Sequence, residues 1–315
     1  MAPDHAAHPS KPLHVALAAD AGFVMPLAVT LTGLALAHPS DELAVTVLHD
    51  GISSSDIARI EAGPVGRIAV SWQQVDTSEL SGTHHTGGLS QATLFRLLLP
   101  AILPPSLERT IYLDCDVVVS DSLLPLSEVD LGDGLAGAVR DAGAPFPAGP
   151  YGTDWRGLGL APGAPLFNAG MLVIPLAAWR EADISGQALE VLRHSKPRWG
   201  DQDALNVALQ GRWTELDRRW NLQTPDAVGN GLAWALWTEQ VEAALADPAM
   251  IHYTERDKPW HPDSRHPFAQ RWLEVLDQTD WAGWRPRRSS LPRRAAGRAK
   301  RAGRLLLADP SRAAT

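Results

Sequence analysis

Two aspartates, Asp114 and Asp116, are the side chains whose type and spacing most directly suggest chemistry. They interrupt an otherwise apolar, β-branched run that spans residues 109–119. Because side chains alternate between the two faces of a strand, both carboxylates are expected on one side, within or at the end of a buried strand. Two like charges this close need a neutralising cation, and carboxylate oxygens suit Mg²⁺ or Mn²⁺. The run therefore predicts a metal site beside a ligand cleft, and a strand end that turns into solvent is the alternative.

His252 and Lys258 form a second candidate group, in the segment 252–260. A neutral imidazole can complete a carboxylate-rich metal site, and a nitrogen ligand shifts the preference from Mg²⁺ toward Mn²⁺. Lys258 offers a point charge suited to a phosphate. Either residue alone is more typical of an ordinary hydrogen-bonded side chain.

A third candidate group follows Gly200, where Asp201, Gln202, Asp203 and Asn206 open an apolar helical pattern. Acids and amides are favoured at helix N-termini, so a structural cap accounts for one of the acids. The remaining polar groups are free to face a ligand.

The order of the first elements predicts an α/β fold with a parallel sheet and right-handed crossovers. Strands are expected over 13–20, 43–49 and 67–72, with helices over 24–37 and 53–61 between them. Further strands are expected at 109–119, 136–141, 167–174 and 249–251, and further helices at 91–101, 183–194 and 201–210. Residues 142–165 are rich in Gly, Pro and Ala, which is typical of a lid or binding loop.

The composition is that of a soluble globular protein: 315 residues, 45% hydrophobic and 20% charged, with a net charge of −8. One cysteine excludes an internal disulfide, and neither a signal peptide nor an apolar run of about 18 residues is evident. A cytoplasmic location is therefore expected. The segment 285–315 carries nine arginines and one lysine against one aspartate. It is predicted to be an arm that binds anionic lipid, with nucleic-acid binding and a solvated terminus as alternatives.

Taken in order, seven short motifs resemble the retaining glycosyltransferases of family 8, the bacterial lipopolysaccharide galactosyl- and glucosyltransferase group related to glycogenin. The resemblance covers residues 13–284. The motifs are Ala19-Asp20, Ala92-Thr-Leu-Phe-Arg96-Leu, Ile111-Tyr-Leu-Asp114-Cys-Asp116, Ala138-Val-Arg-Asp141, Phe167-Asn168-Ala-Gly170, Asp201-Gln202-Asp203-Ala-Leu-Asn206 and the segment from His252 to Trp260.

The resemblance implies a GT-A fold with a Rossmann-like, mostly parallel central sheet flanked by helices and followed by a C-terminal extension. The expected organisation is a tail at 1–12, a glycosyltransferase domain at 13–284 and a basic, disordered tail at 285–315. It also implies a UDP-sugar donor and Mn²⁺, with Mg²⁺ as the alternative.

Carried over residue by residue, the resemblance implies that Asp114, Asp116 and His252 bind the metal. It implies that Asp20 contacts the uracil or ribose and that Lys258 contacts the diphosphate. The donor-sugar pocket would consist of Arg96, Asp141, Asn168, Asp201 and Gln202. Gln202 matches the position on the reacting face of the sugar, and Asp201 is the fallback nucleophile.

The implied reaction moves galactose or glucose from a UDP-sugar to a glycan or lipid-linked acceptor with retained configuration. Trp281, Trp284 and the basic tail resemble a membrane-binding tail, which implies peripheral contact with an anionic membrane and no nucleic-acid partner. A nucleotidyltransferase is one alternative, although residues 21–24 lack the basic, glycine-rich loop that grips a triphosphate. A non-catalytic protein that binds nucleotide sugars is the other.

Two positions depart from the family pattern. Glu255 stands where relatives usually have glycine near the diphosphate, so either its carboxylate points away or the loop differs, and Arg256 could add a phosphate contact. The turn after Asp20 lacks the polar residue often found there, which leaves selectivity for uracil open.

Overall fold

The computed structural model describes residues 13–40, 43–84 and 90–287. Its strands form one seven-stranded and one three-stranded sheet. They are β1 (Leu13–Ala19), β2 (Leu43–His49), β3 (Ala69–Gln74), β4 (Arg109–Leu113), β5 (Val117–Val119), β6 (Gly137–Arg140), β7 (Phe167–Pro175), β8 (Thr214–Glu215), β9 (Leu222–Gln223) and β10 (Met250–His252).

Helices cover the sheets and connect the strands. The α-helices are α1 (Val24–Ala37), α2 (Ser54–Glu61), α3 (Leu99–Ile102), α4 (Leu124–Glu128), α5 (Leu176–Glu181), α6 (Ile184–His194), α7 (Asp201–Ala208), α8 (Thr224–Ala227), α9 (Leu232–Leu236), α10 (Thr238–Ala246) and α11 (Ala269–Leu276). Short 3₁₀ helices lie at Ala21–Phe23, Pro64–Arg67, Thr77–Leu80, Gln91–Leu98 and Arg218–Asn221.

The large sheet has the order β3-β2-β1-β4-β7-β6-β8. Strands β1 to β4 pair in parallel, β6 pairs in parallel with β8, and β7 runs antiparallel to both β4 and β6. The prediction of a mostly parallel α/β sheet flanked by helices is confirmed. The antiparallel direction of β7 was not predicted.

Both faces of the inner strands β1, β2, β4 and β7 are buried, which explains why they read as continuous apolar runs, whereas the edge strands β3 and β8 are exposed or half-buried. Along β1, Val15 and Leu17 join one core cluster with α1, while Ala16 and Ala18 join a second cluster on the other face. Gly33 lets α1 pack closely, since a Cβ there would lie 3.2 Å from backbone atoms of β5.

Three predicted elements differ in detail. The expected single strand over 109–119 is two strands in different sheets, and Asp114 and Asp116 lie in the turn between β4 and β5. Asp114 follows β4 directly and both carboxylates approach His252, so the expectation that the acids lie on one side at the end of a buried strand is met. The period-two argument does not apply, because neither residue is in a strand. The expected helix over 91–101 is mostly 3₁₀, and β3 begins at Ala69.

The last described residues pack onto the body of the protein. Trp281 and Trp284 contact the core, and the Arg59 guanidinium of α2 lies 3.8 Å from the centre of the Trp281 ring. Within the described ranges, no helix has both the length and the apolar character needed to cross a bilayer. The predicted tail at 1–12 lies outside the described residues, as do residues 288–315 of the predicted tail at 285–315, so the proposed domain limits stay a prediction.

Candidate active site

The acid pair lies at the carboxyl end of β4, in the middle of the large sheet. His252, the last residue of β10, faces it. Its Nε2 lies 3.1 Å from Asp116 Oδ1 and 3.7 Å from Asp114 Oδ2. One ligand atom from each of the three residues lies within 4.8 Å of the others. The three predicted metal ligands are therefore brought together.

Backbone pairing fixes the position of His252. In the small sheet, His252 is opposite Val117, the first residue after the acid pair, and Tyr253 N donates to Asp116 O at 3.0 Å. The imidazole is oriented by Asn221, whose Nδ2 donates to Asn168 Oδ1 and whose Oδ1 lies 2.9 Å from His252 Nδ1. Because an amide oxygen can only accept, Nδ1 is the donor in this hydrogen bond, and Nε2 is the nitrogen directed toward the acid pair, where a metal ion would be bound.

Gly170 leaves the space between His252 and Asp114 free. A Cβ at this position would lie 2.1 Å from His252 Cε1 and 2.8 Å from Asp114 Oδ2. Such distances are shorter than any real contact, so only glycine is compatible with this arrangement. Two carboxylates, an imidazole with an available nitrogen and room between them fit a divalent cation such as Mn²⁺.

Lys258 lies next to the acid pair. Its Nζ is 2.5 Å from Asp116 Oδ2 and also donates to Tyr253 O. Burial alone would raise the pKa of Asp116, but the nearby Lys258 and His252 hold it well below its ordinary value. Asp116 is therefore a charged carboxylate whose partners are cationic or metal-binding groups.

Arg96 connects the acid pair to the start of α7. Its side chain is 6% exposed and forms ion pairs of 2.9 Å with Asp114 and Asp201. The Tyr112 hydroxyl also donates to Asp114, at 2.8 Å, and the Arg96 guanidinium lies 4.6 Å from the centre of that ring. Burial raises the pKa of Asp201 to about 6, against the attraction of Arg96. Arg96 and Asp201 form the base of the site.

Next to Asp201 lies a hydrogen-bonded cluster of amide side chains and one acid. Gln202 Nε2 donates to Asp141 Oδ2 at 3.1 Å, and Gln202 Oε1 accepts from Asn168 Nδ2 at 3.2 Å and Ala169 N at 3.1 Å. Asn168 in turn accepts from Asn221. The predicted sugar-pocket residues and metal ligands are thus one connected network.

Asp20 has no described bond to this network. It caps the 3₁₀ turn after β1, where its Oδ1 accepts from Gly22 N at 2.7 Å. It still lies on the same sheet edge, because β1 and β4 are parallel neighbours. In the same turn, Phe23 contacts Trp260, with ring centroids 6.1 Å apart, so the turn borders the Lys258 loop.

Glu255 and Arg256 are both exposed. The exposure of Glu255 agrees with the alternative in which its carboxylate points away from the acid pair.

The sequence offered no signal for Asn221 or for the role of Tyr112. Asn221 lies in a 3₁₀ turn that precedes β9 and carries no recognisable motif. Tyr112 looks like an ordinary strand residue, and only its spacing of two residues before Asp114 could have indicated a contact. Both are recognisable only once the strands are assembled.

A parallel-strand edge with a metal-capable acid pair, a lysine and a polar amide cluster is typical of a ligand-binding site in an open α/β fold. Comparison with known proteins agrees. Residues 14–264 match the family model "Glycosyl transferase family 8".

Two curated relatives act on lipopolysaccharide. The lipopolysaccharide 1,3-galactosyltransferase of Salmonella typhimurium is 26% identical over 280 residues, which is 85% of this chain and 79% of the relative. The lipopolysaccharide 1,2-glucosyltransferase of Escherichia coli is 25% identical over 283 residues, 88% of this chain and 81% of the relative.

The fold is also that of a solved glycosyltransferase. The galactosyltransferase LgtC, in complex with donor and acceptor sugar analogs, superposes with a TM-score of 0.67 at 26% identity, covering 90% of this chain and 99% of that one. The chain belongs to glycosyl transferase family 8. It has the GT-A fold and is a retaining glycosyltransferase, which argues against the nucleotidyltransferase and non-catalytic alternatives.

Proposed function

We propose that this enzyme transfers galactose or glucose from a UDP-sugar to a glycan or lipid-linked acceptor, with Mn²⁺ bound by Asp114, Asp116 and His252. The observation that carries the proposal is the convergence of these three side chains within 4.8 Å, next to Lys258 and the amide cluster. A bound divalent cation would stabilise the negative charge that develops on the departing diphosphate.

Other residues of the site are proposed to bind the remaining parts of the donor. Lys258 places its ammonium group where it reaches the diphosphate and offsets its charge. Asp141, Asn168 and Gln202 present donors and acceptors to the hydroxyl groups of the donor sugar. Asp20 binds the uridine at the end of β1, with its carboxylate on the same sheet edge.

Retention is proposed to occur by front-face attack. Gln202 is a poor nucleophile, and its amide is hydrogen-bonded to Asp141 and Asn168. Asp201, the fallback nucleophile, has a side chain that is 5% exposed and ion-paired with Arg96. Since a buried, paired carboxylate is poorly placed for attack, the acceptor hydroxyl is proposed to transfer its proton to the leaving phosphate oxygen.

The relatives support the proposed donor sugars and acceptor. One curated relative is a galactosyltransferase and the other a glucosyltransferase, so both hexoses are candidates here. Both relatives act on lipopolysaccharide, which supports a lipid-linked acceptor and peripheral contact with the inner face of the cell membrane. Liposome flotation of the full chain and of a truncation after Trp284 tests the membrane contact, and equal flotation of the two would contradict it.

The decisive experiment screens UDP-sugars for Mn²⁺-dependent hydrolysis and transfer. We expect turnover with UDP-galactose or UDP-glucose that EDTA abolishes and Mn²⁺ restores. Asp116→Ala should lose this metal-dependent activity, because one of three ligands is removed. Asp130→Ala, an acid of an exposed turn, is the matched control. Near-normal turnover by Asp116→Ala, still sensitive to EDTA, would show that the metal assignment is wrong.

A further inference from the structure

Two large aromatic side chains are exposed in two segments that meet just before Gln202. Tyr151, in the irregular segment 142–165, is 59% exposed, and Trp199, just before α7, is 38% exposed. The Trp199 carbonyl accepts a hydrogen bond of 3.2 Å from Gln202 N. The indole therefore belongs to the same short segment as the residue assigned to the reacting face of the sugar.

Backbone and side-chain bonds tie the two aromatics together. Trp199 Nε1 donates to Tyr151 O at 3.0 Å, and Arg198 donates to Gly152 O at 3.0 Å. The peptide of Gly152 turns so tightly that a Cβ there would lie 1.9 Å from Pro147 O. These contacts thus fix the Trp199 indole and the backbone that carries Tyr151.

Asp203 anchors this arrangement from inside the protein. It is 1% exposed, and its Oδ2 accepts from Trp199 N at 2.9 Å and from Thr153 Oγ1 at 2.7 Å. One buried carboxylate oxygen therefore holds both the segment with Tyr151 and the segment with Trp199. A buried carboxylate costs free energy unless it is hydrogen-bonded, and the two bonds that satisfy this oxygen also fix the separation of the two segments.

Exposed aromatic rings held in place are suited to the apolar face of a pyranose, where the C–H groups of the sugar stack against the ring. We propose that Trp199 and Tyr151 form the surface on which the acceptor sugar stacks, and that Asp203 is a positioning residue that holds this surface beside Gln202. The inference rests on the proposed glycosyl transfer and identifies the acceptor as a saccharide whose terminal ring presents an apolar face.

The test follows transfer to simple acceptor probes, methyl β-D-galactopyranoside and methyl β-D-glucopyranoside, with UDP-hexose and Mn²⁺. Released hexose reports hydrolysis and the methyl disaccharide reports transfer, so both come from one reaction. We expect Trp199→Ala to raise the glycoside concentration for half-maximal transfer by about tenfold, and Tyr151→Ala by about threefold. Transfer should fall much more than hydrolysis. Trp199→Phe should retain most of the transfer, and Ile102→Ala, which removes an exposed apolar side chain on α3, is the control.

Asp203 is tested by a pair of substitutions. Asp203→Asn keeps an oxygen that can accept from Trp199 N and Thr153 Oγ1, whereas Asp203→Ala keeps none. A positioning role predicts that Ala raises the half-saturating glycoside concentration while Asn largely restores it. Thr153→Val, which removes one of the two donors without altering α7, should produce a smaller rise in the same direction. Loss of hydrolysis and transfer in equal proportion in all three variants would show a merely structural role.

Two results would overturn the proposal and leave the proposed function standing. One is hydrolysis with no saturable glycoside dependence in the wild type. The other is half-saturation unchanged in both Trp199→Ala and Tyr151→Ala. If the wild type neither hydrolyses nor transfers, the proposed function itself fails. Saturation-transfer NMR needs no turnover and then tests the stacking surface separately. It compares binding of the methyl glycosides to the wild type and to Trp199→Ala.

Discussion

Asn221 Oδ1 lies 2.9 Å from Nδ1 of His252, and this contact determines which imidazole nitrogen faces Asp114 and Asp116. Asn221 is itself completely buried and is held by Asn168 through its other amide atom. The hydrogen bond thereby links the proposed metal ligands to the proposed sugar pocket.

Replacing Asn221 by Ala should weaken Mn²⁺ binding by about 10- to 100-fold, because the imidazole loses the partner that fixes its tautomer and orientation. Isothermal titration of the free enzyme with Mn²⁺ measures this directly. The exposed Asn230→Ala serves as the matched control. Unaltered Mn²⁺ affinity in a folded Asn221→Ala protein would argue against an orienting role.

Gly170→Ala should disrupt the metal centre, because the new methyl group would overlap His252 and Asp114. We expect loss of measurable Mn²⁺ binding and a decrease of about 1–3 kcal/mol in the free energy of unfolding. Chemical denaturation and metal titration provide the two readouts. Gly163→Ala, where a Cβ would meet no atom within 4 Å, should behave like the wild type in both. A fully active Gly170→Ala enzyme would contradict the geometry described for this site.

Lys258→Met separates metal binding from diphosphate binding. The lysine ammonium and a metal compete for Asp116, whose Oδ2 is 2.5 Å from Nζ. Removing the positive charge should tighten binding of Mn²⁺ alone by about three- to tenfold and weaken binding of UDP in the presence of Mn²⁺ by a similar factor. Titrations with Mn²⁺ alone, and with UDP at saturating Mn²⁺, distinguish the two effects. Lys196→Met, a change at an exposed lysine, should alter neither affinity. If Lys258→Met weakened binding of both Mn²⁺ and UDP, competition between the lysine and the metal for Asp116 would be refuted.

The contribution of two buried histidines to stability should decrease as the pH falls from about 6.5 to 4, whereas the raised pKa of Asp201 acts in the opposite direction. Burial lowers the pKa of His14, which lies between Thr46 and Thr110, from 6.5 to about 4, and burial lowers the pKa of His266 to about 4 as well. The unfolded chain therefore binds protons at a higher pH than the folded protein does. Their contribution to stability is complete above pH 6.5 and is lost as the pH falls through 4.

For one such histidine the loss is on the order of 3 kcal/mol across this window. Urea denaturation at a series of pH values should show a shallower decline for His14→Gln than for the wild type. His194→Gln, on the exposed side of α6, should leave the slope as it is. An identical pH dependence in the wild type and His14→Gln would exclude His14 as a cause.

Periodicity predicted the elements that are bounded by clear local signals. Helix α1 has the predicted limits, and α2 begins after Ser53, whose hydroxyl accepts from Asp56 N. The turn that carries Asp114 and Asp116 was read as a strand, because Val117, Val118 and Val119 continue the apolar pattern into a different sheet. A local sequence pattern does not show that the chain leaves one sheet after β4 and pairs with a strand of another sheet at β5.

The site was predictable where residues stand in ordered motifs, as for His252 and Lys258. It was not predictable where a role depends on a contact made only in the folded protein. Asn221 reaches His252 across 31 residues, and Asp203 reaches Thr153 across 50. The signal for such residues is in the tertiary structure, since any buried amide or acid would look the same in the sequence.

The pairing of β10 with β5 also has a consequence for folding. The two acids precede β10, the strand that brings His252 to them, by more than a hundred residues in the sequence. Until β10 pairs with Val117–Val119, the chain holds two close negative charges without their histidine and lysine partners. Contacts between such distant segments form slowly because the intervening loop must first close. Docking of β10 is thus expected to be a late step, and the ability to bind metal should appear only at the end of folding.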